Sequence, residues 1–208
     1  MIEIAIRKKI KTYKGQRELQ VDTVFHDLSV TKIYGPSGAG KTTFLKILAG
    51  LIVPEQGLIK AGGEIWLDTD KNINQRPQQR RVGFVFQDYA LFPNMTVMEH
   101  LQFATKDRLL MERLLAIGRM ENFAAQKPAH LSGGQQQRLA ILRALALKPS
   151  LLLLDEAFSA LDDELREALI TDIKVLLAEF GTTTLIVSHH AQETIGFAGH
   201  SLKIDLEN

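Results

Sequence analysis

Lys41 and Thr42 close the run Gly35-Pro36-Ser37-Gly38-Ala39-Gly40-Lys41-Thr42, a Gly-x-x-x-x-Gly-Lys-Thr spacing whose backbone amides can turn inward around a phosphate. The Lys41 ammonium suits β and γ phosphates, the Thr42 hydroxyl suits Mg²⁺, and Thr43 adds a further phosphate contact. Asp155 and Glu156 follow the four leucines Leu151 to Leu154, so two carboxylates leave the end of a buried apolar run together. Asp155 is placed to hold Mg²⁺ through its water shell, and Glu156 to orient and deprotonate an attacking water. The chemistry open to this set is in-line attack of water on the terminal phosphate of a nucleoside triphosphate. The plain alternatives are a glycine-rich turn with an incidental lysine and two carboxylates leaving a strand for solvent; each weakens when both groups occur in one chain.

Other residues have the right types at informative places. Gln87 ends the apolar run Val82-Gly83-Phe84-Val85-Phe86 and delivers a neutral amide able to touch Mg²⁺ or the water. His189 follows Leu185-Ile186-Val187-Ser188 and is a candidate to hold the γ-phosphate and sense its loss. His189, His190 and His200 could instead be read as a metal cluster, but no third ligand has convincing spacing. Ser132, Gly133, Gly134 and Gln135 open a helical stretch, forming a second anion-seeking helix end with no phosphate loop of its own.

These groups need elements to position them. Val30 to Tyr34 reads as a buried strand before the glycine loop, and Phe44, Leu45, Ile47, Leu48 and Ala49 as the apolar face of the helix after it, so the loop meets a helix N-terminus. Gly35, Gly38 and Gly40 permit positive φ and close backbone approach. Val82 to Phe86, Leu151 to Leu154 and Thr184 to Val187 read as central parallel strands covered on both faces. Residues 2–6, 19–25 and Leu58 to Trp66 read as an antiparallel β edge. Val97 to Ala104, Leu109 to Ile117 and Gly134 to Ala146 read as helices, and Leu165, Leu169, Ile173 and Leu176 stripe a long helix starting near Asp162. The fold class is therefore α/β, a phosphate-loop NTPase core with a mostly parallel sheet, an antiparallel β subdomain and a helical insertion. One domain over 1–208 is expected, with 1–87 and 150–208 as the core and 88–149 as the helical subdomain.

Composition bounds the function classes. The 208 residues, 45% hydrophobic, can bury a sizeable core. With 25 basic and 24 acidic side chains the charge is too even for a nucleic-acid binder, so no nucleic acid is expected. The basic cluster Arg7, Lys8, Lys9, Lys11, Lys14 and Arg17 reads as a solvated strand edge. No cysteine is present, which excludes a disulfide framework and a thiolate metal site. No apolar run reaches the roughly 18 to 20 residues that span a bilayer. A cytosolic chain is expected, with any membrane spans carried by another subunit.

The order of phosphate loop, Gln87, Leu131-Ser132-Gly133-Gly134-Gln135 and Leu151 to Glu156 resembles the ATP-binding cassette family over nearly the whole chain. The resemblance implies ATP and Mg²⁺ as cofactors, with Gln87 the Q-loop, Ser132 to Gln135 the signature acting in trans, Glu156 the catalytic carboxylate, Ser159 to Asp162 the D-loop and His189 the switch histidine. It also implies Thr42, Gln87 and Asp155 around the metal, Tyr13 stacked on adenine, and a homodimer that sandwiches two ATP. Arg138 is expected to brace the insertion. Ala157 stands where the family usually has proline, and His190 where it usually has aspartate. The end of the chain 19 residues beyond His189 sets an expectation of no appended regulatory domain.

Arg80 to Val97 looks like bacterial importer ATPases for oxyanions, iron and polyamines, and Tyr34 to Lys41 is most similar to the molybdate importers. Such a subunit would sit at the cytoplasmic face of the membrane, bound to integral permease subunits and indirectly served by a periplasmic or surface solute-binding protein. Tyr89, Leu91, Phe92, Met95 and Met98 form an apolar stretch, part of which is expected to make a groove for a permease helix, the alternative being that it only packs the insertion. Importers for sulfate, iron or polyamine, soluble cassettes acting on nucleic acid or ribosomes, and a small-molecule kinase are the alternatives. The kinase has no use for Leu131 to Gln135.

Overall fold

The computed structural model describes residues 1–12, 15–188, 197 and 199–206. In chain order the elements are β1 (Ile2–Thr12), β2 (Gly15–Phe25), β3 (Val30–Tyr34), α1 (Lys41–Leu48), β4 (Gln56–Ala61), β5 (Glu64–Asp68), β6 (Ile73–Asn74) and β7 (Val82–Val85), then α2 (Val97–Ala104), α3 (Arg108–Ile117), α4 (Gly133–Ala146), β8 (Leu151–Asp155), α5 (Asp163–Phe180), β9 (Thr183–Val187) and β10 (His200–Lys203). Among the described residues no helix is long and apolar enough to cross a membrane.

The strands form two sheets: an antiparallel one ordered β2-β1-β4-β5-β6 and a parallel one ordered β10-β3-β9-β8-β7. The antiparallel strands are thus a separate layer rather than the rim of the parallel sheet. Leu58 to Trp66, read from sequence as part of the antiparallel β edge with no turn marked, is a hairpin: β4 and β5 pair across a turn at Gly62 and Gly63, both at positive φ. The apolar residues on either side of the turn hid it, because both arms bury side chains.

In β1 and β2, alternate residues face inward. Ile2, Ile4, Ile6, Leu19 and Val21 pack with Phe44, Leu45 and Leu48 of α1. Burial of each such large side chain is worth roughly 1.5–3 kcal/mol, so the phosphate-loop helix is clamped between the two sheets. Strand β8 divides its leucines. Leu151 and Leu153 face this core, and Leu152 and Leu154 face a second one built with α3, α4 and α5. All four are fully buried, which is why the strand is apolar without alternation.

Arg80 joins the layers at the far end of α1. Its buried guanidinium donates to Ile47 O and Leu48 O at 2.9 Å, to Gln75 O at 3.1 Å, to Trp66 O at 3.3 Å and to Asn74 Oδ1 at 2.9 Å. A cation among the terminal carbonyls of a helix also suits its dipole.

Candidate active site

The parallel sheet brings distant residues to one rim. Ile33 pairs with Val187, Val187 with Asp155, and Leu154 with Val85, so β3, β9, β8 and β7 end at about one level. Ligands of open α/β sheets bind at such carboxyl ends. Here the loop after β3 carries residues 35–40, β8 ends in Asp155, and the chain after β7 carries Gln87.

The loop is shaped by close packing. A Cβ on Gly35 would lie 2.0 Å from Ile204 O, because the segment after β10 runs against the loop. Gly40, at φ +87°, starts α1 without a side-chain cap, leaving the first helical amides to another acceptor. Lys41 Nζ donates to Gly35 O and Pro36 O at 2.9 Å each. Burial lowers its pKa, with Glu156 and Asp155 acting the other way.

Asp155 is only 2% exposed. Burial raises its pKa, a hydrogen bond with the Thr42 side chain opposes this, and the neighbouring Glu156 charge adds to the rise. Its Oδ1 has no hydrogen-bond partner among the described residues. Glu156 lies at φ +53°, a left-handed conformation that costs a non-glycine residue roughly 1–3 kcal/mol. Its amide donates to Val187 O at 3.0 Å, and its Oε2 accepts from Gln87 Nε2 at 3.0 Å.

A cleft of about 680 Å³ opens at this rim, with Asp155 buried behind its lining. Pro36 to Thr43, Gln87 and Glu156 line it, with Val187 at its base. Ile10, Lys11 and Arg17 from the β1–β2 hairpin and Asp205 and Leu206 from the end of the chain complete the wall. Sequence reading missed both wall segments. Lys11 and Arg17 are part of this site rather than only a solvated edge, and their signal, a basic hairpin tip, says nothing of where the hairpin folds back to. Tyr13, His189 and His190 lie outside the described residues.

The stretch 131–135 does not line this cleft. Ser132 instead caps α4: its Oγ accepts from Gln135 N at 3.3 Å, while Gln135 Oε1 accepts from Ser132 N at 2.8 Å. Ser132 and Gly133 are exposed, and no atom comes within 4 Å of a Cβ built on Gly133. Asp162 caps α5 through Leu165 N at 2.9 Å. Arg138 donates to Gly118 O at 2.6 Å, away from the cleft.

Two more residues of α4 escaped sequence reading, and they hold the backbone that follows β8 and β7. Gln137 bonds the Glu156 carbonyl, and Arg143 donates to Ala90 O at 2.7 Å and Tyr89 O at 3.1 Å, holding a turn in which both residues have positive φ. The available signal for Gln137 was an amide on the same stripe as Ala140, Ile141 and Ala144.

The family model described as ABC transporter matches residues 20–159. This chain belongs to the ABC transporter family. It is 43% identical to the spermidine/putrescine import ATP-binding protein PotA of Pseudomonas fluorescens, over 93% of this chain and 55% of that one. It is 37% identical to the molybdenum import ATP-binding protein ModC of Saccharophagus degradans, over 90% of this chain and 53% of that one. The chain therefore spans about half the length of the curated relatives it matches. A dimeric ATP-binding cassette solved in a post-hydrolysis state with ADP and Pi superposes with a TM-score of 0.83 at 31% identity, covering 99% of this chain and 94% of the other. The two-sheet architecture with its helical segment is the ATP-binding cassette fold.

Proposed function

We propose that this chain is the ATP-hydrolysing subunit of a bacterial ABC importer, working as a homodimer at the cytoplasmic face of the membrane. The observation that carries the reading is the cleft, where the phosphate loop, Gln87 and Glu156 converge while Ser132 and Gly133 stay exposed outside it. A nucleotide held there meets one anion-seeking helix end of its own chain, and the second must come from another copy. That a cassette of this fold is dimeric with ADP and Pi bound supports the pairing of two copies.

Residues 35–43 cradle the phosphates, and Lys41 exchanges its two loop carbonyls for β and γ oxygens. Glu156 takes the proton of the attacking water, aimed by the amide of Gln87. Asp155 and Thr42, with Gln87 beside them, fit Mg²⁺: a buried carboxylate oxygen without a hydrogen-bond partner, next to a hydroxyl, is a hard oxygen donor set. Bound there, Mg²⁺ supplies neutralisation of phosphate charge. Ser132, Gly133, Gly134 and Gln135 approach the γ-phosphate held by the partner copy, with Asp162 on the segment between the two sites. Tyr13 is proposed for adenine and His189 for the γ-phosphate.

The permease is proposed to dock on the apolar stretch after Gln87, where Phe92 is 38% exposed and Phe103 packs edge-on against it. Molybdate or a related oxyanion is the solute favoured by the resemblance of Tyr34 to Lys41. Identity to the polyamine relative is higher, so the solute rests on the partner proteins and not on this chain. The test is Mg-ATP hydrolysis by the purified chain, followed by isolation of the native complex. Co-purification of a polytopic membrane protein and its solute-binding protein is expected. Salt-sensitive co-purification of nucleic acid in their place would overturn the reading.

A further inference from the structure

Gln137 stands on the second turn of α4, wholly buried among apolar neighbours, and its amide is occupied at both ends. Nε2 donates to the Glu156 carbonyl at 3.1 Å and meets Ser159 Oγ at 3.4 Å, and Oε1 accepts from Ala160 N–H at 3.0 Å. Ser159 Oγ also donates to the Glu156 carbonyl, at 3.1 Å. The turn bridged in this way is the one in which Glu156 is held left-handed. Such a conformation persists only where its surroundings over-determine it. Glu156 has its amide fixed on β9 and its carbonyl fixed on α4, and from there its carboxylate reaches Gln87.

An apolar side chain would fill the same space in this core at no desolvation cost. A buried amide is tolerable because every donor and acceptor is matched, and a matched network in low dielectric is stiff. The two groups matched are backbone atoms of the turn that aims a carboxylate.

We infer that Gln137 is a positioning residue for Glu156. By gripping the carbonyl of Glu156 and the amide of Ala160, it sets the direction of the Glu156 carboxylate and ties that direction to the helix whose first turn carries Ser132 to Gln135. A shift of that helix end against a partner's phosphate reaches Glu156 through one side chain. The inference rests on the reading of Glu156 as the base, and Gln137 itself touches no nucleotide.

The test compares two substitutions in the full chain. Gln137→Glu keeps an acceptor for the Ala160 amide but sets an oxygen against the Glu156 carbonyl; Gln137→Met removes both bonds at similar volume. The kcat for Mg-ATP is expected to fall about tenfold or more in both, a loss of transition-state stabilisation alone. KM and the affinity for ADP are expected to stay within about twofold of the starting chain. Amide hydrogen exchange at Ala160 should quicken in Gln137→Met and stay slow in Gln137→Glu. Retention of kcat within about twofold in Gln137→Glu, or a KM that rises as kcat falls, overturns the inference. Unchanged exchange at Ala160 in Gln137→Met does the same. If Gln137→Met does not fold, the kinetics of Gln137→Glu decide. If the unsubstituted chain hydrolyses no ATP, the proposed function fails, and the exchange result still decides whether Gln137 holds the turn.

Discussion

Gln87 Nε2 lies 3.0 Å from Glu156 Oε2, so side chains that follow two neighbouring parallel strands are joined across the mouth of the cleft. A neutral amide orients a carboxylate without cancelling its charge. Glu156→Gln is expected to lower kcat by about 10²–10⁴ while nucleotide binding persists. Light scattering with saturating Mg-ATP should then show a doubled mass, and a chain that stays monomeric with its permease present speaks against the sandwich.

Lys41 bridges the phosphate loop through Gly35 O and Pro36 O. Lys41→Ala removes the one loop ammonium able to meet β and γ oxygens, and charge-assisted bonds of this kind are worth about 1.5–3 kcal/mol each. Affinity for ATP, followed by calorimetry, should weaken at least tenfold, about 1.4 kcal/mol.

His100 links the segment after Gln87 to α2. Its Nε2 accepts from Phe92 N–H at 2.9 Å and its Nδ1 lies 2.7 Å from Thr96 O, so the ring is neutral with its proton on Nδ1. Burial holds its pKa below the ordinary 6.5, with Arg143 adding to this and the Thr96 carbonyl and Glu99 opposing it. The unfolded chain takes up this proton more readily than the folded one. The contribution of His100 is therefore complete above pH 6.5 and lost as the pH falls from there towards the lower folded value. Melting curves across that window should show Tm falling with acidity, with a smaller slope in His100→Gln.

Arg80 tests the clamp on α1. Burial pulls its pKa down to about 10, so it remains a cation at neutral pH, bonded to four backbone carbonyls and one side-chain amide oxygen. Arg80→Met strands those acceptors, and a loss of about 3 kcal/mol is expected in urea unfolding. Arg80→Lys should recover only part of this, because an ammonium cannot fork between helix end and sheet.

Much of this molecule is legible in its sequence where local pattern and final surroundings agree. Val97 to Ala104 reads as a helix and is one, closed at its start by the Thr96–Glu99 box. Leu151 to Leu154 reads as a doubly covered strand because two cores require it. The phosphate loop and the Asp155-Glu156 pair are local motifs, and the sheet places both on one rim. What sequence hid depends on folding back. The hairpin tip with Lys11 and Arg17 and the chain end at Asp205 and Leu206 meet the phosphate loop only in three dimensions. Gln137 was hidden for another reason: its partners are backbone atoms of the turn after β8, and backbone atoms leave no trace in residue types.

Strand β8, gripped by alternate leucines from above and below, gives the two carboxylates a fixed bench. Whatever moves during a working cycle must therefore come to them, and tuning of speed by mutation should collect in the parts that swing toward this bench, sparing the bench itself.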